Sequence, residues 1–200
     1  MTASQEIALA PVTAPAPASV TVLGYALLCA LHKGPLTGYE LVRRMRQPIG
    51  YYWTARQSQI YPELARLAEL GLITSSGESG PGPHQRMTHD LTAAGRAAVA
   101  SWLIRPPTPR PPRDELVLKT YAVGAADSSA MRALYLAEAQ RHEQRLEDYR
   151  AQRTRLVARG ADDQCHPDFG AFATLRLGLG VEELYAQWCR WLADQLAAGG

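Results

Sequence analysis

Residues 21–33, TVLGYALLCALHK, are apolar at nearly every position. A helix that is apolar all round belongs at the centre of a core. This is therefore the expected first helix, capped by Ser19 or Thr21 and closed by Gly34 and Pro35. The next run, PLTGYELVRRMRQ, is two-faced: Leu41, Val42 and Met45 can turn inward while Arg43, Arg44 and Arg46 stay outside. Thr37 followed three residues later by Glu40 has the form of a capping box. After Pro48, Gly50 and YYWTA comes RQSQIYPELARLAELGL, Arg56 to Leu72, a third helical pattern. On a wheel Ile60, Leu64, Leu67 and Gly71 share one face, with Ser58, Pro62, Ala65, Arg66 and Glu69 opposite. Gly71 sits where a helix terminates.

Beyond Gly71 the period changes. LITSS and RMTHDL are strand-like and are separated by the turn-rich GESGPGPHQ. Thr92 then caps a fourth helix, TAAGRAAVASWL. Three helices, a two-stranded hairpin and a further helix make a winged helix-turn-helix, in which the third helix reads DNA and the hairpin is the wing. Tyr51, Tyr52 and Trp53 are placed to brace the reading helix.

Residues 105–113, RPPTPRPPR, contain five prolines and form a stiff linker. Asp114 caps a short helix, and Ser128 is the expected cap of a long one that Gly160 closes. The last pattern, from Asp168 to Leu196, is a final helix, either continuous or broken near Gly178 and Gly180. The fold class is thus mainly α with a small two-stranded β wing. Residues 1–18 are a disordered tail, 19–104 the winged helix-turn-helix, 105–113 the linker, and 114–200 a helical dimerisation and effector domain.

Charge changes this picture little. The net charge of the 200 residues is +2. Residues 20–105 carry nine Lys and Arg against five acids, and residues 106–200 carry twelve against thirteen. A basic first half fits nucleic-acid binding, although an excess of this size is also ordinary scatter. No apolar run approaches the ~18 residues of a membrane span, and the N-terminus has no secretory pattern, so no membrane partner and a cytoplasmic location are expected. Cys29, Cys165 and Cys189 are too few and too scattered for a disulfide framework. The five histidines show no paired metal spacing, and Cys165-His166 lacks companions, so neither metal nor cofactor is expected. No phosphate-binding loop, nucleophile elbow or dinucleotide fingerprint is present, and no catalytic residue is assigned.

These segments together resemble the PadR family of bacterial transcriptional regulators. The matching positions, in order and spacing, are Gly34, Pro35, Gly38, Tyr39, Glu40, Leu41, Tyr61, Pro62, Leu64, Leu67, Gly71, Leu72, Leu91, Thr92 and Gly95. RDELVLKTY and LGLGVEEL resemble the larger C-terminal type of that family. Met87 and His89 depart from its pattern, which usually has Lys and Tyr in the second wing strand. The resemblance implies a homodimeric repressor that pairs through its C-terminal helices and leaves a double-stranded DNA operator when a small-molecule effector binds.

The residues expected at DNA are Arg56, Gln57, Ser58, Gln59, Tyr61 and Arg66 of the third helix. Gln pairs with adenine edges and Arg with guanine, while Ser and Tyr reach phosphates. Thr37 and Gly38 offer N–H groups to phosphate at a helix start. Arg43 and Arg44, and His84, Gln85 and Arg86 of the wing, are further candidates for backbone contact. Trp188, Trp191, Trp102 and Tyr121 could stack on a flat aromatic effector, or simply pack helices and the dimer interface. Two other functions remain open: a protein-interaction module whose winged domain does not bind DNA, and, ranked last, an enzyme with a pocket at the dimer interface.

Overall fold

A computed structural model describes residues 20–46, 55–78, 86–109 and 113–198. The chain divides into two compact units, Met1–Thr108 and Pro109–Gly200. In the first unit the order is α1 (Val22–Leu31), β1 (Leu36–Thr37), α2 (Gly38–Arg46), α3 (Gln57–Glu69), β2 (Ile73–Glu78), β3 (Arg86–Leu91) and α4 (Ala93–Leu103). The Thr21 hydroxyl caps α1 by accepting from the Gly24 N–H at 2.9 Å. Leu27, Leu28 and Leu31 of α1 are fully buried. Leu41 and Met45 of α2 and Ile60, Leu64 and Leu67 of α3 close around them, so α1 is the centre of this core.

The end of α3 is set by a glycine. Gly71 has φ +67°, a conformation without penalty only for glycine. It lets the Leu72 N–H reach the Leu67 carbonyl (3.0 Å) and the Gly71 N–H reach that of Ala68 (2.9 Å). This 6→1 and 5→2 pair satisfies two carbonyls of the last turn. Leu72 then packs in the core with Leu67, and the chain turns directly into β2.

The wing has three strands, in the order β1-β3-β2, where the sequence predicts two. β2 and β3 pair antiparallel from Ile73↔Leu91 to Glu78↔Arg86. On the other edge of β3, Leu36 pairs with His89 and Thr37 with Thr88. Two residues are too few to carry a strand period, and Thr37 also serves as a helix cap, which is why β1 is not visible in the hydrophobic pattern.

The second unit contains α5 (Glu115–Tyr121), one 3-10 turn at Val123–Ala125, α6 (Ser128–Val157) and α7 (Phe169–Ala198). Asp114 Oδ1 caps α5 by accepting from the N–H groups of Leu116 (2.8 Å) and Val117 (3.0 Å). Its other oxygen accepts the Tyr185 hydroxyl. That bond holds the Asp114 carboxyl below its ordinary range and pushes the Tyr185 phenol up to about 12. α6 and α7 run antiparallel: Ser128 Oγ donates to the Leu196 carbonyl (3.1 Å), Arg190 forks onto Glu143 (2.7 Å for both bonds), and Tyr149 faces Gly178.

One expectation fails in this unit, and one open alternative is decided. Asp127, not Ser128, caps α6, accepting from the Ala130 N–H at 2.8 Å. α7 is unbroken through Gly178 and Gly180. At Gly178 a β-carbon would lie 3.0 Å from the Tyr149 ring, so this glycine makes room for a neighbour rather than a break. One stripe of α7 is exposed: Leu177 (68%), Val181, Leu184 and Trp191 (55%) lie on it, and the half-buried Trp188, which packs on Tyr135 and Tyr185, falls at the same spacing. Their spacing of four, three, four and three residues is a heptad seam.

Candidate nucleic-acid interface

α3 begins at Arg56, an extended residue with φ −77° and ψ 143°. Its backbone N–H donates to Gln59 Oε1 at 3.0 Å, which ties the first turn together. Arg56, Gln57, Ser58 and Gln59 are all exposed. Pro62, inside the helix, has no N–H to give the carbonyl four residues earlier, that of Ser58. Ser58 and Pro62 are both exposed, so the carbonyl left without that donor lies on the solvent side of the helix.

Tyr61 lies on the flank toward α2, its ring over Gly38, and is half-exposed. Around it α2, α3 and the wing enclose a cleft of about 700 Å³ lined by residues including Tyr39, Arg43, Tyr61, Ala65, Met87 and His89. His89 is the buried ionisable residue of the lining. Ser75 Oγ and His89 Nδ1 are 2.9 Å apart, and burial pushes the imidazole pKa down. Met87, two residues earlier on β3, is exposed. Tyr39, named among the family matches but not among the residues expected at DNA, is 73% exposed and stands four residues before Arg43, hence on the same face of α2. That spacing was the available signal.

Besides Gln59, whose Oε1 holds the Arg56 N–H, three candidate residues are already engaged. The Thr37 N–H donates to Glu40 Oε2 at 2.8 Å, the Thr37 hydroxyl donates to the same oxygen, and the Glu40 N–H donates back to Thr37 Oγ1 at 3.2 Å. The capping box is real, so the Thr37 N–H is not available to phosphate. These bonds also hold the Glu40 carboxyl below its ordinary range, leaving an anion at that point. Arg44 Nη1 donates to the Ala30 carbonyl at 2.9 Å, closing the last turn of α1. Arg66 is forked onto Glu63, Nε to Oε2 at 3.1 Å and Nη2 to Oε1 at 2.8 Å, on the flank away from Tyr61. Gly38 is buried beneath Tyr61.

Arg86 opens β3 opposite Glu78. His84, Gln85, Tyr51, Tyr52 and Trp53 lie outside the described residues.

The four aromatic effector candidates divide between the two units. Trp102 stacks on Tyr25 in the core of the first unit, with centroids 4.7 Å apart and planes at 8°. Trp188 sits edge-on to Tyr135 and Tyr185, each 6.1 Å away. Trp191 and Tyr121 are exposed. Among the described residues no group of three or more His, Cys, Asp or Glu is arranged for a metal ion, and no helix is long and apolar enough to cross a membrane.

Comparison with known proteins covers both units. Residues 27–101 match the transcriptional regulator PadR-like family, and residues 112–197 match the family described as virulence activator alpha C-term. The negative transcriptional regulator PadR of Bacillus subtilis (strain 168) is 32% identical over 169 residues, 84% of this chain and 93% of that protein. The crystal structure of Bacillus subtilis PadR in complex with operator DNA superposes with a TM-score of 0.79 at 29% identity, covering 88% of this chain and 99% of that one. The same regulator in complex with p-coumaric acid gives 0.74 at 30% identity with the same coverage.

Proposed function

The chain belongs to the PadR-like family of transcriptional regulators, and from that premise we propose that it is a homodimeric repressor released from duplex DNA by a small aromatic effector. The family and fold are those of DNA-binding regulators, not of enzymes. The observation that carries the DNA reading is the opening of α3. Arg56, Gln57 and Ser58 stand exposed there, with Tyr61 and the cleft toward the wing on one flank. Such a surface offers donors and acceptors to base edges and phosphates in the major groove. Arg43 and Tyr39 of α2 and the start of β3 flank it for backbone contact. The protein would act in the cytoplasm, where its operator is.

The exposed heptad stripe of α7 supports dimerisation through the second unit. A row of Leu177, Val181, Leu184 and Trp191 in water is costly, and a second copy of the same stripe covers it. Two reading helices joined in this way meet half-sites about one helical turn apart, roughly 34 Å. The relative's complex with p-coumaric acid supports a phenolic or similar flat effector for this chain. Trp188 and Trp191 are the aromatic groups best placed to respond, since Trp102 is held in a stack.

The test is binding of the purified protein to duplex from its own upstream region and to random duplex at two salt concentrations. Tight, salt-steep binding that prefers the upstream fragment supports the reading, and loss of that binding with a phenolic acid supports release. A second reading is a protein-interaction module. Exposed Met87 on the wing and the ionised Glu40 beside the cleft favour it, because neither suits a phosphate. Absence of binding to any duplex at low salt would select it.

A further inference from the structure

Glu63 is a carboxylate on the helix assigned to DNA, and it is 9% exposed. It receives three side-chain donors: Arg66 Nε and Nη2, and the Thr21 hydroxyl at 2.8 Å. The same Thr21 oxygen accepts from the Gly24 N–H, so one hydroxyl caps α1 and ties it to α3. The approach depends on Gly24, where a β-carbon would stand 2.5 Å from Glu63 Oε1. The carboxyl is held below its ordinary range, first by the Arg66 bond.

We propose that Glu63 and Arg66 are positioning residues: their fork, with Thr21, sets α3 against the start of α1 and neutralises the helix's own anion, and Arg66 reads no base. This rests on the DNA-binding reading above. The geometry favours it over a reading role in two ways. The guanidinium edge formed by Nε and Nη2 is one that forks onto a planar acceptor, and Glu63 already occupies it. Arg66 also reaches toward Glu63, the residue bonded to Thr21 of α1, and is not among the residues that line the cleft beside Tyr61. Removing Arg66 would leave a partly buried carboxylate without its counter-charge on a helix that meets phosphates. Every DNA sequence would feel that repulsion equally.

The test uses the full chain, a duplex that the wild type enriches from a randomised pool, and a shuffled duplex of the same composition. The variants are R66Q, E63Q and the doubly substituted E63Q/R66Q, whose net charge equals that of the wild type. R66Q should bind both duplexes roughly five- to tenfold more weakly, with their ratio unchanged. E63Q/R66Q should recover to within about threefold, with the wild-type salt slope.

A selected-to-shuffled ratio that falls roughly tenfold in R66Q and stays low in E63Q/R66Q would mean that Arg66 reads a base. A slope shallower by about one in E63Q/R66Q would mean a direct phosphate contact. Either result overturns the inference, and so does an R66Q affinity equal to wild type in protein shown folded by circular dichroism. Should R66Q not fold, the ratio and slope of E63Q/R66Q decide alone, because that variant carries no unpaired charge. Failure of the wild type to enrich any duplex overturns the DNA-binding reading itself, and this inference with it.

Discussion

The ring of Tyr61 rests on Gly38 so closely that a β-carbon there would stand 2.7 Å from Tyr61 Cε1. The ring of Tyr61 can lie against the start of α2 because Gly38 carries no methyl group. Tyr61 is half-exposed, so its ring can swing outward if pushed. Gly38→Ala should cost less than about 1 kcal/mol of stability, yet lower DNA affinity by moving the ring. Urea unfolding and duplex titration, run side by side with Tyr61→Phe, separate ring position from hydroxyl. Unchanged affinity in Gly38→Ala would show that the ring's place does not matter to DNA.

Gly95 makes the contrasting case. A β-carbon there would lie 2.0 Å from the Leu72 carbonyl oxygen, which is backbone and cannot rotate away. The same carbonyl accepts the Thr92 N–H at 3.1 Å, so a shift would also break a wing-to-helix bond. Gly95→Ala should destabilise the first unit by roughly 2–3 kcal/mol or more, through overpacking. A chemical-denaturation midpoint within error of wild type would contradict the close packing of α4 on the end of α3.

His89 predicts a pH dependence. Burial lowers its pKa in the folded protein below the ordinary 6.5. Below pH 6.5 the unfolded chain takes up a proton that the folded wing resists. The stability contributed by neutral His89 is complete above 6.5 and declines as pH falls toward the lower folded value. His89→Gln should flatten the difference in unfolding free energy between pH 7.5 and pH 5.5. Parallel curves for the two proteins would assign that acid sensitivity to other groups.

Leu184 stands in the middle of the α7 stripe and is 64% exposed in the single chain. Leu184→Glu should leave the helical content intact, because most of the side chain is already in solvent within the single chain. It should also convert a dimer to a monomer in sedimentation or light scattering, and weaken operator binding with it. A Leu184→Glu variant that still sediments as a dimer would move the interface elsewhere.

Local devices were legible in the sequence, and long-range partners were not. Thr21, Thr92 and Asp114 cap their helices where the pattern places them, because a cap needs only the next two or three residues. The strands at Ile73–Glu78 and Arg86–Leu91 likewise follow from alternation between turn residues. Arg44 and Arg66 show the limit. An arginine on a polar face looks the same whether its guanidinium awaits a phosphate, caps Ala30 or grips Glu63. Gly178 shows another: its spacing reads as a helix breaker, while its actual use depends on Tyr149 across the hairpin.

Thr37 is at once the last residue of β1, in register with Thr88, and the cap bonded to Glu40 in α2. The sheet and the helix-turn-helix therefore share a rivet, and neither can tilt without carrying the other. A protein built in this way is a fixed gauge rather than a pair of independent fingers. On the DNA reading proposed above, a substitution that moves Thr37 would shift the sheet and α2 together rather than either one alone.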